Sequence, residues 1–433
     1  MVTNRIEIIK RIYIGILLFI FGGIVLHAPI SMALGSIWPD YSLIIKSWKE
    51  ILMLVAGFIA IFLLFKNKKV NIFKDPVIIA IFAYAILHIL MLFYKFQGIK
   101  AATAGLAIDL RYVLFFSLVY IAMKLYPEYR RLFIKVGIIG AFIVLVFALL
   151  QVFILPHDIL KYIGYNINTI SPYLTVDQNH AFIRINSTLR GPNPLGAYAV
   201  IALSLIAAYL VKRKLPKGKL PIFIISIMGI GGLVALWVSY SRSALIAAIF
   251  AVVVVLAVTT FRKLSTNMWI VISFMVFVLS VGLFAFKDSS FVSNVLLHEN
   301  PTNIDNISSN AGHINSLSDG LNQLVRQPLG AGVGSTGSAS ILVNRPEIIE
   351  NQYLFIAHEV GWLGLALFLY IFGLIMYRLW KLRDDWLALG VFAGGIGIAL
   401  ICVLLPMWVD DTVSIIWWGL ATIALFPNKK GYN

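Results

Sequence analysis

Residues 352–377 have the sequence QYLFIAHEVGWLGLALFLYIFGLIMY, in which only His358 and Glu359 can be charged near neutral pH. A helix of about 20 mainly apolar residues is long enough to cross the hydrocarbon core of a bilayer. A helix on the surface of a soluble protein would carry a polar face opposite its apolar face. This stretch has no such face, so it predicts a membrane-spanning helix, and ionisable residues inside such helices are usually functional.

The rest of the chain has the same character. Of its 433 residues, 60% are hydrophobic and 12% are charged, and the mean hydropathy is +0.91. So little polar surface cannot cover a soluble fold, and we expect a single all-α polytopic membrane domain over residues 1–433. The apolar runs predict about twelve transmembrane helices, at 12–34, 49–65, 76–94, 104–123, 133–155, 194–211, 220–239, 242–260, 268–286, 352–377, 386–407 and 412–427.

The net charge of +16 reflects membrane topology. The chain has no soluble basic domain, so we expect no nucleic-acid partner. With an even number of spans both termini lie on one side, and a cytoplasmic N-terminus places most of the 35 Lys and Arg residues in cytoplasmic segments. Cytoplasmic loops of membrane proteins are enriched in such residues. We therefore predict a multi-pass protein of the cytoplasmic membrane, inner or plasma, with both termini in the cytoplasm.

Two long segments fall on the predicted outer side, at residues 156–193 and 288–351, and we expect the chemistry there. In the second segment Ile314, Leu317, Leu321 and Leu324 recur near the period of an amphipathic helix.

A glycine-rich stretch follows, with Gly332, Gly334 and Gly337 in the G-x-G-x-x-G spacing of dinucleotide sites. No βαβ pattern surrounds it, so the spacing does not indicate a nucleotide site. A tightly folded loop is favoured, and its backbone amides could also line a sugar or phosphate site.

Arginines on the predicted outer side are the first candidate binding residues. Arg184 and Arg190 precede the sixth span, where Asn193 and Pro194 suit the N-cap and first helical positions, and Arg242 lies in the short connection SYSRSA. Arginines near helix ends often reach for lipid phosphates, and this alternative applies to each of them. Together they would suit a diphosphate, because guanidinium groups bind phosphate oxygens in pairs and stay charged.

A second set of candidates could supply a base. Glu350 and His313 lie in the second outer segment. The neighbouring Asp410 and Asp411 are expected to form a solvated turn that caps the last span. Serine-hydrolase and metalloprotease motifs are absent from the sequence, so we expect no metal and no cofactor.

The order of RINSTLRGPNPLG, SYSRSA, GHINSLSDGLNQLVRQPLGAGVGSTG and ENQYLFIAHEVGWLG resembles the O-antigen ligase family, which also contains polysaccharide polymerases. The resemblance covers the chain from about Arg184 to Leu365. It implies a GT-C-like membrane glycosyltransferase that uses no metal. Such a protein takes a glycan from an undecaprenyl-diphosphate carrier and transfers it to a hydroxyl of a glycan, lipid-core or protein acceptor.

The family signature is His, then Asn, Ser or Gln, nine residues of any kind, Gly, two of any kind, and Gly. Asn351, Gly361 and Gly364 match it, while Glu350 occupies the place of the family's proposed catalytic histidine. By the same resemblance, Arg242 and Arg184 would hold the diphosphate, and Arg190 is the alternative to Arg184. Glu350 would then act as the base of an inverting displacement, because a carboxylate can accept a proton from a hydroxyl; His313 is the reserve.

Two other functions remain open at the level of sequence. A flippase or transporter of lipid-linked glycan is predicted to carry ionisable residues near mid-bilayer, and the notable candidates are His88, Asp109 and Arg111. Asp109 is a plausible partner for Arg111, but residues two apart on a helix point in different directions, so a partner on another helix is the alternative. A non-catalytic scaffold of envelope assembly is the third alternative.

Overall fold

The computed structural model describes residues 2–176, 179–213, 216, 218–260, 320–322, 324–344 and 347–427, with side chains omitted at 2–4 and 260. The first half contains α1 (Val2–Gly23), α2 (His27–Ile37), α3 (Ser42–Lys46), α4 (Trp48–Lys66), α5 (Pro76–Tyr94), α6 (Ile99–Leu125) and α7 (Arg130–Phe153). The second half contains α8 (Pro192–Lys212), α9 (Lys219–Val238), α10 (Arg242–Thr260), α11 (Gly337–Ile341), α12 (Gln352–Lys381), α13 (Trp386–Ile401) and α14 (Asp411–Ala424).

Within these ranges, nine helical segments are long and apolar enough to cross a membrane, with α1 and α2 joined in one of them. The protein is therefore a membrane-embedded helical bundle. Two predicted spans correspond to shorter apolar helices, α13 and α14. The predicted span at 268–286 lies outside the described residues, so the total of twelve and the GT-C-like arrangement remain predictions.

The expectation of an all-α chain was incomplete. Strands β1 (Tyr173–Val176) and β2 (Asn179–Ile185) form an antiparallel hairpin between α7 and α8. In this hairpin Arg184 is paired with Leu174. The hairpin matters for function because it carries Arg184 back to the end of the bundle at which α8 begins.

Small residues bring the central helices close together. On α13, a Cβ at Gly390 would meet the Leu205 backbone of α8 at 2.8 Å, and one at Gly394 would meet Ser204 Oγ at the same distance. Such close backbone approach is typical of helix contacts inside membranes. Helix α8 packs against α9, α10 and α13, while α6 packs against α4 and α14.

The two ends of the bundle differ in their polar contacts. At one end Asp75, the N-cap of α5, forms an ion pair of 2.8 Å with Arg378 of α12 and accepts a hydrogen bond from Tyr120 of α6. We call this the Asp75 end, and the opposite end, where α8 begins, the Arg184 end. The sequence predicts that the Arg184 end faces outward.

Candidate functional site

The position of Arg184 is fixed by two hydrogen bonds. Its Nε donates to the carbonyl oxygen of Ser239 at 2.8 Å, and its Nη2 donates to the side-chain oxygen of Asn193 at 2.7 Å. Arg184 therefore joins the β-hairpin to the first turn of α8 and to the connection between α9 and α10. The Asn193 oxygen serves this contact and does not cap α8, so the predicted N-cap was wrong; the helix begins at Pro192, after Gly191.

Arg242 is brought to the same place by a close helix contact. It is the first residue of α10, after the connection in which Tyr240 has a positive φ of 46°. A Cβ at Gly196 of α8 would lie 2.8 Å from the Cβ of Ala244 and 2.9 Å from Ser239 Oγ. Only glycine permits this approach, so the PNPLG and SYSRSA segments lie side by side at the Arg184 end.

A buried group of charged residues lies next to these arginines. Its members, which we call the ionic cluster, come from four helices: His27, Lys49, Glu50, Arg111 and Asp411. Lys49 is 2% exposed and Arg111 is 6% exposed. Burial of this many charges is costly unless each one is paired, so the contacts within the cluster are decisive.

Arg111 connects α6 to α4 and α14 within the ionic cluster. Its Nη1 contacts Glu50 Oε1 at 3.4 Å and forms an ion pair with Asp411, while its Nη2 donates to the carbonyl oxygen of Val409 at 2.8 Å. Of the two alternatives for Arg111, a partner on another helix is confirmed, and pairing with Asp109 is not observed. The two side chains leave α6 in different directions, as their separation of two residues requires.

Lys49 and His27 complete the contacts of Asp411. Lys49 Nζ lies 3.3 Å from Asp411 Oδ2 and 3.2 Å from Glu50 Oε1, and His27 Nε2 lies 2.9 Å from the same Asp411 oxygen. His27 Nδ1 accepts a hydrogen bond from the indole of Trp48 at 2.9 Å. This network assigns the His27 proton to Nε2, which donates to Asp411.

The expectation of a solvated Asp410–Asp411 turn was also wrong. Asp410 caps α14 as predicted, accepting from the backbone N–H groups of Thr412 and Val413, but it is buried, and Asp411 is engaged by three cationic or imidazole side chains. The pair therefore belongs to the interior of the site and not to its solvated edge.

Arg190 connects the ionic cluster with the outer arginines. It is exposed, and it lies close enough to Lys49 and Arg111 for its charge to repel theirs. Within the described ranges no carboxylate forms an ion pair with Arg190. A neighbouring anion would relieve this repulsion, so the arrangement favours an anionic ligand between Arg190 and the cluster.

The cluster contacts a turn that does not reach the Arg184 end of the bundle. Helices α13 and α14 have 16 and 14 residues, or about 24 and 21 Å at 1.5 Å per residue, which is less than the ~30 Å hydrocarbon core. Helix α6 has 27 residues and extends to about 40 Å. The turn at residues 402–410 therefore stops short of the Arg184 end, and Arg111 contacts this turn from halfway along α6.

The same turn also contacts the segment that carries Glu350. Asn351 caps α12, and its Nδ2 donates to the carbonyl oxygen of Val403 at 2.7 Å. Gln352 N donates to the carbonyl oxygen of Cys402, and its side-chain oxygen accepts from Trp408 N. Glu350 and the ionic cluster thus approach the 402–410 turn from different sides, with Glu350 only partly buried.

The other signature residues have structural roles. Gly361 has φ +70° and ψ −175°, which breaks the regular geometry of α12 at Val360–Gly361. A Cβ at Gly364 would lie 2.1 Å from Val360 Cγ2, so the kink also requires glycine there. The glycines of the signature therefore shape α12, and nothing in these contacts requires them to touch a ligand.

The glycine-rich loop packs into this kink. Ala331 N donates to the carbonyl oxygen of His358, and Gly332 N donates to that of Glu359 at 3.1 Å. Gly334 crosses α6 so closely that a Cβ at Gly105 would lie 2.5 Å from its nitrogen. The prediction of a tightly folded loop is confirmed, although the loop packs against the bundle.

A second buried polar group lies behind this loop. Glu359, 1% exposed, accepts a hydrogen bond from the backbone N–H group of Thr336 and lies beside the carboxyl group of Asp109. His88 Nε2 lies 3.8 Å from Asp109 Oδ2. The Asp109 Oδ2 and Glu359 Oε2 atoms are buried without a hydrogen-bond partner among the described residues, and two neighbouring buried carboxyl groups are less costly when only one is ionised, so we expect the pair to share a proton. The predictions that His358 is packed and that Glu359 bonds within the bundle are confirmed.

The structure describes the predicted residues of the second outer segment only in part. His313 and the start of its predicted amphipathic helix lie outside the described residues. The described part, 320–322 and 324–326, is helical, with Leu324 buried and Leu321 exposed. In the part of the chain that the structure describes, no three His, Cys, Asp or Glu side chains are arranged to hold a metal ion.

Sequence reasoning missed most of the ionic cluster. His88, Asp109 and Arg111 are not the only ionisable residues within spans, because His27, Lys49 and Glu50 also lie inside predicted or observed membrane helices. A signal was present in SWKEILML, where charged residues interrupt the start of an apolar run. Its partner Asp411 is separated by more than half the chain, and no sequence pattern links the two.

No protein-family model matches the chain, and no curated protein matches its sequence.

Proposed function

We propose that the protein transfers a glycan from an undecaprenyl-diphosphate carrier to an acceptor hydroxyl at the Arg184 end of the bundle, as part of cell-surface polysaccharide biosynthesis. The observation that carries this proposal is the convergence of Arg184, Arg190 and Arg242 at the start of α8 and α10, with Arg190 close to the buried ionic cluster. A cationic site at the end of a membrane-embedded bundle suits a donor that is itself part lipid and part polar.

The arginines would act on the leaving group. Transfer forms a bond between the acceptor oxygen and the anomeric carbon and breaks the bond from that carbon to the carrier diphosphate. The carrier diphosphate leaves with the electron pair, and its negative charge grows in the transition state. Guanidinium groups placed at that position lower the barrier without a metal ion. Arg190 and Arg242 are assigned this role. Arg184 holds the β-hairpin against the start of α8 and the connection between α9 and α10.

The base would be a carboxylate that accepts the proton of the acceptor hydroxyl. Glu350 remains the first candidate, because it lies at the start of α12, next to the 402–410 turn. Asp411 is engaged through both oxygens by Lys49, Arg111 and His27, so these oxygens are not available to an acceptor hydroxyl. Glu50 is the second candidate, since its Oε2 is buried without a hydrogen-bond partner among the described residues.

A cellular experiment tests the arginine assignments. Arg242→Ala and Arg190→Ala should abolish the surface polysaccharide and cause the lipid-linked donor to accumulate, while membrane insertion is unchanged. Arg11→Ala, at an exposed site on α1, is the matched control and should behave as wild type. Normal polysaccharide in both site variants would refute the proposal.

The same site would serve two kinds of acceptor. Transfer to a second lipid-linked chain would extend a polymer, and transfer to a distinct lipid or protein would attach one. A deletion strain separates the two cases, because long lipid-linked chains persist if the protein attaches them and are missing if the protein builds them.

A second candidate function is transport of the lipid-linked glycan across the bilayer. The observation that favours it is the buried pair Asp109 and Glu359 beside His88, since proton-sharing carboxyl groups in membrane helices are typical of pumps and transporters. A reconstituted flipping assay tests it. Movement of donor that Glu359→Gln stops, with no glycosidic bond formed, would favour transport over transfer.

A further inference from the structure

A cavity of about 360 Å³ lies between α7, α8 and α9, in the half of the bundle nearer the Asp75 end. Its walls come from the first turns of α7, the second half of α8 and the first half of α9, including Ala141, Ala202 and Met228. Trp386 of α13 and Leu420 of α14 close it on the inside. The site is therefore distant from Arg184, Arg190 and Arg242, which lie at the opposite end of the bundle.

The cavity follows from the way α7 and α9 cross. A Cβ at Gly231 of α9 would lie 2.9 Å from the carbonyl oxygen of Leu145 of α7, so the two helices touch there. Toward the Asp75 end, Ile134, Ile138 and Ala141 of α7 face the cavity and do not fill it. The two helices therefore touch at Gly231 and diverge from this contact toward the Asp75 end, which leaves the cavity between them.

The cavity is almost entirely apolar and is open to the surrounding lipid. Leu220 and Ile138 line it and are 68% and 43% exposed, so its wall continues onto the outer surface of the bundle between α7 and α9. An apolar space of this kind favours hydrocarbon over water, because water would find few polar partners in it. A flexible alkyl chain entering from the bilayer fits both properties.

Positive charge surrounds the mouth of the cavity. Arg213 follows the last turn of α8, and Lys219 begins α9 next to Leu220; both are exposed. The acidic residues nearby are already paired, Asp384 with Lys212 and Asp385 with Arg130, each at 3.5 Å. The rim is therefore complementary to an anionic headgroup.

We propose that this cavity binds one acyl chain of an anionic phospholipid, with the phosphate at the rim formed by Arg213 and Lys219. The lipid comes from the leaflet at the Asp75 end, which the sequence predicts to be cytoplasmic. Its tail fills the cavity between α7 and α9, and so stabilises the helices that support the start of α10. The site needs no glycan transfer and is independent of the proposed function.

Lipid-dependent stability of the purified full chain tests the tail site. Phosphatidylglycerol added to delipidated protein should raise the melting temperature, because a ligand that binds only the folded state stabilises it. Ala141→Phe, which fills the cavity, should weaken the apparent affinity by about tenfold, the effect of losing two buried methylene groups. Ile139→Phe, on the exposed face of α7, is the matched control and should bind as wild type.

Headgroup selectivity tests the rim. Wild type should bind phosphatidylglycerol more tightly than phosphatidylcholine, and Arg213→Gln combined with Lys219→Gln should reduce this preference by at least about fivefold, since each surface cation contributes about that factor near anionic lipid. Equal binding of the two lipids by wild type, or unchanged affinity in Ala141→Phe, overturns the proposal.

A cross-linking experiment needs no substitution and covers the case in which Ala141→Phe does not fold. Phosphatidylglycerol with a photoreactive group on one acyl chain is bound to the wild-type protein, and the labelled peptides are mapped. Labelling of residues 134–141 and 198–228 supports the site. Labelling confined to other helices, or a dimer that protects these residues and excludes lipid, contradicts it.

Discussion

Arg111 of α6 forms an ion pair with Asp411, the first residue of α14, and this contact joins the middle of one helix to the start of another. Glu50 and Lys49 of α4 complete the arrangement around them. The contact fixes the depth of the 402–410 turn, on which the candidate site rests.

Removal of Arg111 should destabilise the protein strongly. Arg111→Ala removes the cation that contacts both Glu50 and Asp411 and leaves these carboxylates buried. Breaking a buried ion pair in this way costs about 3–5 kcal/mol of unfolding free energy. Arg11→Ala removes an exposed pair with Glu7 and should cost under about 1 kcal/mol. Denaturation in detergent micelles measures both, and similar losses for the two variants would argue against the cluster.

The shared proton of Asp109 and Glu359 makes a distinct prediction. Glu359→Gln keeps a neutral group that can donate to Asp109 and accept from the loop, so stability should change by less than about 1 kcal/mol. Glu359→Ala leaves buried N–H and carboxyl groups without partners, at about 1–3 kcal/mol each. Thermal unfolding of the two variants decides this, and equal destabilisation would show that both carboxyl groups are ionised.

The kink of α12 depends on the positive φ of Gly361. Gly361→Ala forces a side chain into φ +70° and should cost about 1–3 kcal/mol. Gly373→Ala on the same helix is the control, because a Cβ there meets nothing within 4 Å, and it should be neutral or stabilising by up to about 1 kcal/mol. If the two substitutions had the same effect on unfolding, the kink would not be a strained feature.

Asp75 should contribute to stability at neutral pH and lose this contribution in acid. Partial burial acts to raise the pKa of Asp75, but hydrogen bonds from Arg378, Tyr120 and the Val77 N–H outweigh it and lower the pKa below its ordinary value. The contribution is therefore complete above the unfolded pKa of about 3.9 and disappears as pH falls through the lower folded value.

The melting temperatures of wild type and Asp75→Asn test this at several pH values. Their difference should be constant between pH 5 and 8, well above the unfolded pKa of about 3.9, and should shrink below about pH 4. A difference that instead grows as the pH falls would show that the pKa of Asp75 is raised in the folded protein.

Local patterns predicted the spans well and the contacts between them poorly. Helix α5 has the predicted bounds, Pro76–Tyr94, because its hydropathy changes abruptly at Asp75 and Lys95. The span predicted at 386–407 was too long, since the apolar residues after Ile401 form a turn and not further helix. Hydropathy cannot distinguish these two uses of apolar sequence.

The candidate site could be predicted only in part for the same reason. Arg242 and Arg184 were found as arginines at helix boundaries, and the structure brings their segments together through Gly196 and Ser239. The ionic cluster was not predicted, because Arg111 meets Glu50 and Asp411 through tertiary packing alone. For Glu350, the family resemblance implies a chemical role, and the structure places the residue at the start of α12, beside the 402–410 turn.

The most direct measurement is made on purified protein in phospholipid vesicles, supplied with an undecaprenyl-diphosphate-linked glycan and an acceptor with a free hydroxyl. We predict a new glycosidic bond and release of undecaprenyl diphosphate, with the rate reduced by about 100-fold or more in Arg242→Ala and unchanged in Arg11→Ala. Movement of the intact donor across the bilayer, with no bond formed under any condition, would contradict the account.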